Sequence, residues 1–105
     1  MRAGTYVVVT RHPRAGREIR AFGGRALFGG KDVLDIGTGQ GRLAFDVAPL
    51  ARHIVGVDPS EDAVRAAREE AARLGLGNVE FSVGDARELD IGRRRFDVAI
   101  FSWSL

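Results

Sequence analysis

The sequence predicts an α/β fold, an open doubly wound parallel sheet, and three observations lead there. From Lys31 onward, short apolar runs alternate with helical patterns in the order strand, helix, strand, helix, strand. The runs at residues 33–36 (Val33, Leu34, Asp35, Ile36) and 54–57 (Ile54, Val55, Gly56, Val57) are almost continuously apolar, as strands covered on both faces are. Glycine turns then link strand to helix: seven of the 14 glycines fall between Gly23 and Gly41. That order of elements requires parallel pairing with right-handed crossovers.

Each element follows from local chemistry. Residues 41–52 read as a helix with Leu43, Ala44, Val47 and Leu50 along one side, and Pro49 marks its last turn. The next helix is the best specified. Ser60 is a natural N-cap, Glu61 and Asp62 favour the positive end of the helix dipole, and Gly75 supplies a stop. Its buried stripe is expected at Ala63, Val64, Ala67, Ala71 and Leu74, with Glu61–Arg65 and Glu69–Arg73 pairing on the wet side. Val79, Phe81 and Val83 alternate as a third strand, and residues 96–101 form a fourth. Between these, residues 86–90 suit a short turn of helix. In the first 31 residues, Tyr6 to Val9 suit a strand and residues 17–22 a short helix, with Gly23-Gly24 and Gly29-Gly30 interrupting anything longer.

Composition narrows the class. At 105 residues, 45% hydrophobic and 29% charged, the chain has the make-up of one globular domain. It has no cysteine, which excludes disulfides and thiolate metal sites, and His12 and His53 have no metal-ligand spacing, so no metal is expected. With no membrane-length apolar run and no secretory signal pattern, a cytoplasmic protein is expected. Charge divides the chain. Residues 1–31 carry six arginines and Lys31 against Glu18, a balance of +6, whereas residues 32–105 carry nine arginines against thirteen acids, a balance of −4. Residues 1–30 are accordingly a basic N-terminal segment of uncertain structure, and 31–105 are the domain proper.

In an open parallel sheet, ligands bind beyond the carboxyl ends of the strands. Three such ends here carry chemistry. After the first strand runs Asp35-Ile36-Gly37-Thr38-Gly39-Gln40-Gly41, where glycines let a ligand approach the backbone. A dinucleotide fingerprint fails because Arg42 stands where the third glycine should be. A phosphate loop fails because the only lysine is Lys31. A ligand turn and a plain tight turn both remain open. Asp58 ends the second strand, where a carboxylate can accept from both hydroxyls of a ribose, or cap the helix after Pro59. Gly84-Asp85-Ala86 ends the third, where an acid beside a free amide can read an adenine edge, or make an ordinary Asp turn.

Taken together, these segments resemble a known family. Residues 33–42 look like motif I of class I S-adenosylmethionine-dependent methyltransferases. Val57-Asp58-Pro59-Ser60, Gly84-Asp85-Ala86-Arg87 and Phe96-Asp97-Val98-Ala99-Ile100 are similar to its later motifs, in the same order. The resemblance implies a Rossmann-like domain binding S-adenosyl-L-methionine and passing its methyl group to an unknown acceptor. It places Gly37, Gly39 and Gly41 along the methionine part of the cofactor, with Asp35 steering the ammonium group. Asp58 would hold the ribose and Pro59 would pack near the adenine. Asp85 and the Ala86 amide would read the adenine, and Phe101 would lie near the sulfonium. No catalytic residue is assigned, because methyl transfer is in-line displacement and needs mainly alignment. Phe101-Ser102-Trp103-Ser104 lacks the Asp-or-Asn-Pro-Pro-aromatic segment of nucleobase amino-group methylators, which disfavours that class.

The family's full strand order, 3-2-1-4-5-7-6, exceeds this chain, so the fold is expected to be truncated after the fourth strand. That strand would then be an open edge, leaving Val98, Ile100, Phe101, Trp103 and Leu105 poorly covered and prone to self-association or to pairing with a partner chain. The rival reading is a non-catalytic methyltransferase-like remnant acting as a binding or assembly module. Its basic front could meet RNA phosphates, although a solvated arm explains that charge more simply.

Overall fold

The computed structural model describes residues 6–11, 24–85 and 96–103. In chain order the elements are β1 (Tyr6–Arg11), α1 (Gly24–Phe28), β2 (Asp32–Ile36), α2 (Arg42–Val47), β3 (His53–Asp58), α3 (Glu61–Leu74), β4 (Val79–Val83) and β5 (Val98–Trp103). The five strands form one sheet in the order β1-β5-β2-β3-β4, parallel at every pairing. The short helix and turn expected at residues 17–22 and 86–90 lie outside the described residues.

The expected open edge is covered. β1 pairs with β5 along its whole length, from Tyr6 opposite Val98 to Arg11 opposite Trp103. Val98 and Ile100 are 1% exposed. Sequence patterning identified residues 6–9 as strand-like but could not place a strand beside a partner some ninety positions away. The basic front segment therefore contributes a strand to the same sheet. Between its two glycine pairs it also contributes α1, whose Phe28 is fully buried.

Alternation along the strands divides the core. On one face Val33, Ile54, Phe81, Val98 and Ile100 meet Phe28 of α1, Leu43 and Val47 of α2, and Val64 and Ala67 of α3. On the other face Leu34, Val55, Val57 and Phe96 form a smaller cluster with Ile36 packed against it. Each fully buried aliphatic side chain contributes about 1.5–3 kcal/mol, so both clusters stabilise the sheet.

The helices match their signals with three differences. α2 ends at Val47, before Pro49, and the chain turns back through Leu50 and Ala51 N–H groups that both donate to the Val47 carbonyl. α3 starts and stops where its caps predict: the Ser60 hydroxyl accepts from the Ala63 N–H, and Gly75 is left-handed at φ 69°. Its buried stripe stops at Ala71, however. Leu74 is 46% exposed because the last turn runs past the sheet. The surface ion pairs are also one residue closer than expected, Arg65 with Asp62 and Arg73 with Glu70.

Candidate functional site

The chain lays β2, β3 and β4 outward in one direction, then returns to set β5 on the other side of β2. Strand order thus reverses between β2 and β5, and the crevice beyond their carboxyl ends is where such sheets bind ligands. Ile36, the last residue of β2, sits opposite Phe101 of β5, which places partly buried Phe101 beside the start of the glycine turn.

The turn is tied down from several sides. The Gly37 and Thr38 N–H groups both donate to the Val57 carbonyl of β3, at 2.9 Å each, and the Gly41 N–H donates to the Thr38 carbonyl at 2.9 Å. Gly39 and Gly41 both take positive φ, 56° and 86°, but for different spatial reasons. A side chain at Gly39 would face open space, so the turn presents bare backbone there. One at Gly41 would come within 2.8 Å of the Phe81 ring and 3.0 Å of Phe45, which themselves stack edge to face at 5.7 Å. Gly41 is buried and serves packing, while Gly39 is partly exposed with open space beside it.

The acids differ in the same way. Asp35 is completely buried, and its Oδ2 accepts the Thr38 hydroxyl at 2.8 Å. It acts on the turn from beneath. Asp58 is partly buried at the rim, where Oδ2 accepts the Gly39 N–H and Oδ1 accepts the Ser60 N–H, both at 2.9 Å. It therefore steadies the start of α3, as the helix-cap reading of the sequence has it, and it also ties down the glycine turn, which the sequence reading did not foresee. The Gly84 N–H donates to the Asp58 carbonyl at 3.0 Å, which brings partly buried Asp85 to the same rim. Pro59 is exposed beside Asp58, and Ala86 lies outside the described residues. All three strand ends that the sequence singled out thus meet at one end of the sheet.

Sequence reasoning missed Thr38, Gly56 and Arg68. A side chain at Gly56 would lie 2.6 Å from Thr38 Oγ1 and 2.7 Å from the Phe81 ring. The signal was available, since a glycine inside a strand marks close approach of a neighbour. Arg68 of α3 donates through Nε and Nη2 to the Phe81 carbonyl, pinning β4 to the helix layer. A cleft of about 780 Å³ runs between α2 and α3 behind the turn, lined by Gly39, Gln40, Phe45 and Glu69 among others; it excludes Asp58 and Asp85. It adjoins the rim at Gly39.

A protein-family model described as a methyltransferase domain matches residues 27–105. The chain belongs to that family. Nocamycin O-methyltransferase of Saccharothrix syringae is 38% identical over 78 residues, which are 71% of this chain and 28% of that protein. The YcgJ protein of Bacillus subtilis superposes with a TM-score of 0.72 at 30% identity, over 86% of this chain and 37% of its own. Phosphoethanolamine N-methyltransferase 1 of Haemonchus contortus, solved with phosphoethanolamine and S-adenosylhomocysteine, superposes with a TM-score of 0.70 at 28% identity, over 86% of this chain and 19% of its own. The chain thus spans between a fifth and two fifths of the length of these relatives, and the shared part is the Rossmann-like sheet with its helix layer. Among the described residues, no helix is long and apolar enough to cross a membrane.

Proposed function

We propose that the chain binds S-adenosyl-L-methionine across the carboxyl ends of β2, β3 and β4 and serves as the cofactor-holding part of a methyltransferase. The observation that carries this reading is the Asp58 carboxylate, which accepts the Gly39 N–H while the Asp58 carbonyl accepts the Gly84 N–H. Those contacts set the glycine turn, the ribose-type acid and the adenine-type acid along one rim.

The residues suit this ligand's chemistry. It carries an ammonium and a sulfonium and no pyrophosphate, so a rim bearing Asp58 and Asp85 attracts it, and an anion cradle is not needed. Gly37 and Gly39 offer uncovered backbone to the methionine part, with Gly41 fixing the far end of the turn. Asp35 acts through the turn, since its carboxylate is fully buried. Asp58 takes the ribose hydroxyls, and Pro59 flanks the base. Asp85, with the Ala86 amide, reads its edge, and Phe101 closes the switch-point side. The bound cofactor supplies an electrophilic methyl group. The chain's own part is to hold it aligned and away from water, and the displacement is made by a nucleophile of the acceptor. The relatives are named for different acceptors, a nocamycin O-methyltransferase and a phosphoethanolamine N-methyltransferase.

Calorimetric titration of the 105-residue chain with S-adenosylhomocysteine tests the reading. One saturable site is expected; a folded chain that shows no heat of binding at millimolar ligand would contradict it.

A further inference from the structure

We propose that Thr38 is a positioning residue for the cofactor, setting the curvature of the glycine turn through its hydroxyl bond to the buried Asp35. The inference rests on the cofactor reading above. Thr38 is 1% exposed and Asp35 is fully buried. Their side chains meet at 2.8 Å, the hydroxyl donating to Oδ2.

Three bonds hold this one residue. Its hydroxyl goes down to Asp35, its N–H across to the Val57 carbonyl, and its carbonyl forward to the Gly41 N–H. The hydroxyl occupies the hollow that Gly56 leaves, because a side chain at Gly56 would stand only 2.6 Å from Thr38 Oγ1. Gly56 is also the register partner of Asp35 across β2 and β3. The acid, the hydroxyl and the missing side chain thus form one fitted unit beneath the turn. The next residue, Gly39, is the one whose N–H reaches Asp58 and beside which an added side chain would meet open space. A shift at Thr38 is therefore passed directly to the backbone that would meet the cofactor.

The chemistry makes the hydroxyl specific. Valine has nearly the shape of threonine but brings a methyl group against a buried carboxylate, which then loses a donor. The bond that ties the turn to the carboxylate is then gone, and the turn relaxes. Serine keeps the donor and gives up only a methyl group.

The experiment measures S-adenosylhomocysteine affinity and thermal unfolding for the unaltered chain, Thr38→Val and Thr38→Ser. Thr38→Val should bind about tenfold more weakly at temperatures well below its unfolding transition, a loss of the size one charged hydrogen bond brings. Thr38→Ser should restore affinity to within about threefold. If the valine variant does not fold, Thr38→Ala replaces it in the same comparison with serine. Equal affinity in the valine or alanine variant and the unaltered chain would overturn the inference, even if its unfolding temperature falls. So would a serine variant as weak as valine. An unaltered chain that binds nothing would instead overturn the cofactor reading and this inference with it.

Discussion

At the amino end of the sheet an acid is paired with a cation, whereas at the carboxyl end the rim acid is held by neutral groups. Asp32 of β2 lies 2.5 Å from the Arg52 guanidinium, and this contact raises the arginine pKa, first by hydrogen bonding and then by Coulomb attraction. The Asp32 N–H donates to Asp97 Oδ2, the Asp97 N–H returns to the Asp32 carbonyl, and Asn78 donates to the Ala48 and Ala51 carbonyls. That end is pinned shut. At the other end Asp58 accepts two backbone N–H groups, which orient its carboxylate. One end of the sheet uses its acids as fasteners, Asp32 to a cation, and the other holds its rim acid in place through backbone N–H groups. The second arrangement is what a cationic ligand requires.

The comparison breaks most sharply at Asp58. Asp58→Ala should weaken S-adenosylhomocysteine binding by at least about tenfold, since a hydrogen bond to a charged group is worth about 1.5–3 kcal/mol. Unchanged affinity by calorimetry would remove the ribose role. Gly56→Ala tests the fitted unit under the turn. Crowding Thr38 and Phe81 should cost about 1–3 kcal/mol, visible as a lowered unfolding temperature. Gly77→Ala, where a side chain meets nothing within 4 Å, should be nearly silent.

Asp97→Ala sharpens the contrast from the opposite end. It should lower stability by about 1 kcal/mol in a denaturant titration and leave ligand affinity as it was. A parallel loss of affinity would show that the two ends are coupled. A small effect is expected on the exposed side of α3. The Arg73 hydrogen bond lowers the Glu70 pKa below its ordinary 4.5. A lowered carboxylate pKa stabilises above the unfolded value, and that contribution fades as pH falls through the folded one. Arg73→Ala should therefore alter stability only slightly at neutral pH, and the small difference should vanish in acid.

The sequence and the structure agree where a signal is local. α3 was legible because Ser60, the two first-turn acids and Gly75 each act on their own helix. The three strand ends were legible because acids and glycines interrupt apolar runs at fixed places. Contacts between distant segments were not. The pairing of β1 with β5 depends on which strand reaches that edge, and hydrophobic periodicity carries no such information. Leu74 and Val83 fit their stripes by spacing yet are 46% and 45% exposed, because each lies at the end of its element where neighbours stop. At the site, Asp35, Asp58 and Asp85 were visible as residues. That Asp35 acts from beneath and Asp58 from the rim depends on Thr38 and Gly39, whose bonds only the fold reveals.

Amide-resolved NMR during titration with S-adenosylhomocysteine addresses the central claim most directly, because it reports on both ends of the sheet in one experiment. Saturable shifts are expected at Gly37, Gly39, Asp58, Gly84 and Asp85, with Asp32, Arg52, Asn78 and Asp97 unmoved. Shifts confined to the Asp32–Arg52 end, or to Phe45, Glu69 and Arg73 in the cleft between α2 and α3 with Asp58, Gly84 and Asp85 unmoved, would contradict the account.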